Sequence, residues 1–163
     1  MHDLRGARGH IVDSEDVLRR LASWGAERKV EILVADARAV FGRDHLESAV
    51  LHAERAQRQG AMSTRSLPME TLLYLSGRRQ VADAIAAAGV RPGTQQIAVA
   101  VFGNTLAAEV IEAMRWTADP RVLDATRKDA AVLGLTPTEI ATIPRARWPD
   151  LALERVALLD VEK

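Results

Sequence analysis

The chain has 163 residues, 48% of them hydrophobic, with 22 Lys plus Arg balanced by 22 Asp plus Glu. That length suits one domain with its own core, since a chain near this size hides roughly 70% of its unfolded surface. Zero formal charge argues against a whole-surface nucleic-acid binder, so any RNA contact must be a local patch; the absence of cysteine excludes disulfides and thiolate chemistry.

The opening Met1-His2-Asp3-Leu4-Arg5 has no apolar run of signal-peptide length. No segment approaches the roughly 20 apolar residues of a membrane helix, so a cytoplasmic location and no membrane partner are expected. Among the basic residues only Lys29, Lys128 and Lys163 are lysines.

In chain order, Arg5 to Val12 reads as a first strand. Asp13 or Ser14 caps a helix with Val17, Leu18, Leu21 and Trp24 at helical spacing and Gly25 as its C-cap. Val30 to Ala35 is β-rich and ends at Asp36. Asp44, with Glu47 three positions on, signals a capping box for a helix that runs to Gly60. A third helix starts at Ser66, with Pro68 in its first turn, and stops at Ser76-Gly77. Arg78 to Ala88 reads as a fourth, closed by Gly89.

Gln96 to Phe102 is apolar on both faces and belongs in mid-sheet. A helix from Thr105 to about Thr117 stops before Pro120. Thr136-Pro137-Thr138-Glu139 is a strong helix start. The tail Arg155 to Val161 reads as a final strand. About four strands serving several helices, without strict alternation, give an α/β class of the α+β kind: a single domain over 1–163 with a small mixed or antiparallel sheet covered by helices.

Catalytic patterns are missing. His45 and His52 share a helix face but stand two turns apart, roughly 10 Å, too far for one metal ion. There is no nucleophile elbow. Asp13, Glu15 and Asp16 lie in a helix first turn, where they answer the helix dipole. Phe102-Gly103-Asn104-Thr105 lacks the lysine of a phosphate loop. Arg5-Gly6-Ala7-Arg8-Gly9 is a single short RG-like copy beside a strand. No catalytic residue, metal ligand or cofactor is therefore expected, and the chain reads as a binding protein and not an enzyme.

The most suggestive polar cluster is central. Arg55, Arg58 and Arg65 flank the turn at Gly60-Ala61-Met62-Ser63-Thr64, and Gly77-Arg78-Arg79-Gln80 joins two helices. Backbone N–H groups and two guanidinium forks there suit a phosphate or an RNA end.

The stretch Leu72-Leu73-Tyr74-Leu75-Ser76-Gly77-Arg78-Arg79-Gln80-Val81, continuing through Ala84-Ile85 to Gly89-Val90, resembles the small regulatory subunit of the KEOPS complex. That family includes the eukaryotic PRPK-binding protein and archaeal counterparts. Arg5-Gly6-Ala7-Arg8, Asp36, His45-Leu46 ahead of Ala49-Val50, and Glu154 to Leu159 agree in the same order. Arg121 to Trp148 matches least clearly.

The resemblance implies a non-catalytic subunit of the complex that installs threonylcarbamoyl on tRNA adenosine. It implies a kinase-like ATPase subunit as direct partner, a transferase subunit as indirect partner, and tRNA, notably its 3′ CCA end, as ligand. On this footing Arg55, Arg58, Arg65, Gly77, Arg78, Arg79 and Gln80 are the expected RNA contacts. Val156, Leu158, Leu159 and Val161 in the apolar tail are the expected kinase contacts, one strand face for the core and one for the partner. Two rivals stand beside this reading: a metabolite-sensing α/β domain, and an enzyme with dispersed catalytic residues.

Overall fold

The computed structural model describes residues 1–125 and 128–163. Four strands, β1 (His2–Arg8), β2 (Glu31–Asp36), β3 (Gln96–Phe102) and β4 (Thr117–Ala118), form one sheet in the order β2-β3-β1-β4 with every pair antiparallel. The described residues include seven α-helices: α1 (Ser14–Arg28), α2 (Arg43–Arg58), α3 (Leu67–Ser76), α4 (Val81–Ala88), α5 (Ala107–Ala113), α6 (Pro137–Thr142) and α7 (Trp148–Glu162). This is the α+β arrangement expected from the sequence, in its antiparallel form.

β3 shows why its sequence is apolar from Ile97 to Phe102. Ala98, Ala100 and Phe102 face a core shared with α2, α3, α4 and α7, whereas Ile97, Val99 and Val101 face a second core under α1 and α5. A strand covered on both faces has no solvent side on which to place polar residues. The alanines at 98 and 100 lie on the face turned toward α3, whose own Leu72, Leu73, Tyr74 and Leu75 are all buried.

Several local expectations change. The helix start at Asp44 is replaced by Gly42, which caps α2 without a side-chain bond, and Glu47 turns to His2 instead. Gly25 lies inside α1, and Lys29 in the left-handed region closes that helix. Gly25 is there for space: a Cβ on it would stand 2.7 Å from the Val30 carbonyl oxygen. Arg78, Arg79 and Gln80 form the connection ahead of α4 and are not its first turn. By contrast, Asp13, Ser66 and Thr136 cap their helices as read, Thr136 in a full capping box with Glu139.

The main correction is the tail. Arg155 to Val161 is helical, the last two turns of α7, and the fourth strand is β4, a two-residue pair on β1. Trp148, Ala152, Val156 and Leu159 are the buried residues of α7. Their spacing of four, four and three follows one helix face.

Candidate partner and nucleic-acid surfaces

The connection from α3 to α4 is built by the end of α3. Gly77 adopts φ +65, its N–H donates to the Tyr74 carbonyl at 3.2 Å, and the Arg78 N–H donates to the Leu73 carbonyl at 3.2 Å. This glycine-terminated closure stops the helix and turns the chain outward. Arg79 and Gln80 are then exposed and Arg78 is half-buried. The Arg78 guanidinium lies over Gly134, so close that a Cβ there would meet Nη1 at 3.2 Å. It lines an open cleft of about 460 Å³ with Asp83, Ala86, Arg91, Asp129 and Val132. Among the described residues no carboxylate lies within ion-pair distance of Arg78. Val81 and Ile85, 39% and 45% exposed, add an apolar strip on the α4 surface.

The remaining arginines are not gathered with this group. Arg65 precedes α3 and Arg78 follows it, so the helix, about 15 Å long at 1.5 Å per residue, separates them. Arg58 is exposed and lines a different cleft of about 380 Å³ with Lys29, Glu31, Glu54 and Phe102. Arg55 is engaged by the Asp160 carboxylate. The expected RNA residues therefore do not form one cluster: Gly77, Arg78, Arg79 and Gln80 follow α3, Arg65 precedes it, Arg58 lines a separate cleft and Arg55 is held by Asp160.

The expected partner residues divide by helix face. Val156 and Leu159 are 0% and 2% exposed and belong to the core, so neither can meet a partner directly. Leu158 and Val161, at 49% and 82%, point outward. Leu158 lines a groove of about 260 Å³ with Leu151, Glu154, Arg155, Glu162 and Gly77.

A polar network not read from the sequence fastens α7 to the rest. Tyr74 donates its hydroxyl to Asp160 at 3.0 Å, beside the Arg55–Asp160 pair. Burial first, then the hydrogen bond to Asp160 and its charge, push the Tyr74 phenol up to about 12. Lys163 pairs with Glu70 and sits 4.5 Å from the Tyr74 ring centroid. Glu70 was visible as the one charged residue of a mostly apolar helix, a residue that must find donors if buried. Its partners are too remote in sequence to name in advance.

The two helical histidines have separate duties. His45 accepts from the Phe41 N–H at Nδ1 (3.0 Å) and donates from Nε2 to the Leu75 carbonyl (3.0 Å). Burial pulls it down to about 4, so it stays neutral and works as a structural bridge. His52 bonds the Ser48 carbonyl through Nδ1 at 2.8 Å. Lys128, buried, donates to the Ala37 and Val122 carbonyls, each at 2.6 Å. No described helix is long and apolar enough to cross a membrane.

No curated protein matches the chain. The family model described as kinase binding protein CGI-121 matches residues 10–131. That range includes β2, α2, the α3–α4 connection and β3, and it ends before α7. The match covers well over half of the sequence and agrees with the family that the Leu72 to Val90 residues resemble. The chain belongs to the kinase binding protein CGI-121 family.

Proposed function

We propose that this chain is a non-catalytic subunit of the KEOPS tRNA-modification complex that docks on and stimulates the kinase-like ATPase subunit and holds tRNA near its 3′ end. Membership of a kinase-binding family carries the kinase part of this reading. The outward face of α7, with Leu158 and Val161, is the docking element. It exposes large apolar side chains while its opposite face is already used by the core.

The tRNA part is supported by the α3–α4 connection. Arg78 lines a cleft with Arg91, alongside Asp83 and Asp129, Arg79 is exposed next to it in the chain, and the exposed Val81 and Ile85 offer apolar surface to a base. Single-stranded RNA ends are held by guanidinium contacts to phosphate together with stacking on planar or apolar groups. The transferase subunit is then an indirect partner, reached through the kinase.

Co-purification with the kinase-like subunit and tRNA, using two variants, tests this. Leu158→Glu, at an exposed position, should lose the kinase while keeping a wild-type melting temperature. Charge reversal of Arg78 and Arg79 together should keep the kinase, weaken tRNA binding, and lower the salt slope by about 0.7 for each phosphate no longer neutralised. Retention of both ligands by the respective variants would overturn the reading.

A further inference from the structure

Glu70 stands in the first turn of α3 with no solvent exposure. A buried carboxylate persists where hydrogen bonds and a countercharge replace water. Here those come from two directions. Oε2 accepts from the backbone N–H groups of Ser63 (3.0 Å) and Thr64 (2.9 Å). The Thr64 hydroxyl lies 2.9 Å from the same oxygen and 3.1 Å from the Ser66 carbonyl, sharing its proton between them. The other oxygen, Oε1, takes the Lys163 ammonium just past the end of α7. One carboxylate is thus divided between the turn that presents Arg65 and the end of the last helix.

We infer that Glu70 is a positioning residue that couples the end of α7 to the Ser63–Arg65 turn. Lys163 neutralises the buried charge and fixes the rotamer that aims Oε2 at the turn. Without that cation the carboxylate must take up a proton or swing toward water, and either change weakens the acceptor that orders Ser63 and Thr64. Coupling of this kind is reciprocal: whatever tightens the turn also tightens the end of α7. A partner seated on α7 therefore sets the geometry with which Arg65 meets an RNA phosphate. That consequence rests on the function proposed above, whereas the coupling itself needs neither partner.

Amide hydrogen exchange on the full chain reads it directly. Lys163→Met keeps the aliphatic stem and removes the charge. Exchange at Ser63 and Thr64 should quicken about five-fold or more, the lower end of ordinary coupling strengths. Lys163→Arg should restore wild-type rates. In the reverse direction, Thr64→Val should quicken exchange in the last turn of α7. Excess kinase-like subunit should slow Ser63 and Thr64 in the wild type and leave Lys163→Met unaffected. Unchanged Ser63 and Thr64 rates in folded Lys163→Met, or an α7 end indifferent to Thr64→Val, would refute the coupling. A kinase that binds without slowing the two amides would break its link to docking. A kinase that fails to bind would count against the proposed function and leave the first two comparisons decisive for Glu70.

Discussion

The Tyr74 hydroxyl reaches Asp160 at 3.0 Å while the other oxygen of that carboxylate takes Arg55, so one residue of α7 is held by α3 and α2 together. Because the phenol is pushed up to about 12, chiefly by burial, it remains a donor at any working pH. Tyr74→Phe keeps the ring that packs against His52 at 5.4 Å between centroids and deletes the hydroxyl, which donates to Asp160 and accepts from Lys163 at 3.4 Å. The expected loss is about 1 kcal/mol. Asp160→Ala also leaves the buried phenol without its acceptor, and should cost about 2 kcal/mol. Urea midpoints at constant m-value check both, and a larger effect from Tyr74→Phe would contradict the arrangement.

Gly77 is fixed by backbone and by space at once. Its φ of +65 costs a residue with a Cβ about 1–2 kcal/mol, and the added carbon would stand 3.3 Å from the Arg155 Cβ on α7. Gly77→Ala should therefore destabilise by about 2 kcal/mol and perturb Arg155 resonances in an NMR spectrum. Gly77→Asn, which tolerates the left-handed region better, should show the smaller backbone cost and the same disturbance at Arg155.

The sequence discloses elements whose signal is local and conceals those whose signal is not. β3 was legible because six consecutive residues, Ile97 to Phe102, have no polar side to show, and α3 because Ser66, Pro68 and Gly77 mark both of its ends. The tail misleads for a physical reason. Over Val156 to Val161 alone, a short apolar run fits strand and helix alike. Only when Trp148 and Ala152 are counted with Val156 and Leu159 does the helical period appear, and Pro149 then falls at the helix start. β4 has two residues, Thr117 and Ala118, too few for any pattern. At the candidate surfaces, Arg78 and Arg79 could be picked out by their place after a helix-ending glycine. Arg55 could not be separated from them, because its Asp160 partner lies 105 residues away.

Lys128 should show itself at alkaline pH. Burial, opposed by Asp36 and Asp124, brings its amine down to about 8. A neutral amine has two N–H groups, matching the Ala37 and Val122 carbonyls it faces. The unfolded lysine holds its proton up to about 10.4, so between about 8 and 10 the unfolded state binds more protons and stability rises with pH. Lys128→Met should flatten that rise. It also leaves the Val122 carbonyl without this donor, whereas Ala37 keeps the Val40 N–H at 3.0 Å. A loss of about 2 kcal/mol at pH 9 is expected, read from urea midpoints across pH 7 to 10.

His2 predicts the opposite slope at lower pH. Its Nε2 lies 2.8 Å from Glu47 and its Nδ1 3.0 Å from Glu54, both on α2. Only the imidazolium can donate from both nitrogens. Burial disfavours that charge, but the hydrogen bonds to Glu47 and Glu54, with their charges, outweigh it and hold the group above its ordinary value. For a raised histidine the stabilisation is complete below the unfolded value of about 6.5 and is lost as pH climbs through the folded one. The urea midpoint should therefore fall between pH 6 and 8, below the range in which Lys128 acts. His2→Gln should abolish this fall, while Glu47→Gln and Glu54→Gln each reduce it. A wild-type midpoint that is flat or rises over that interval would show that β1 is not clasped to α2 through a protonated His2.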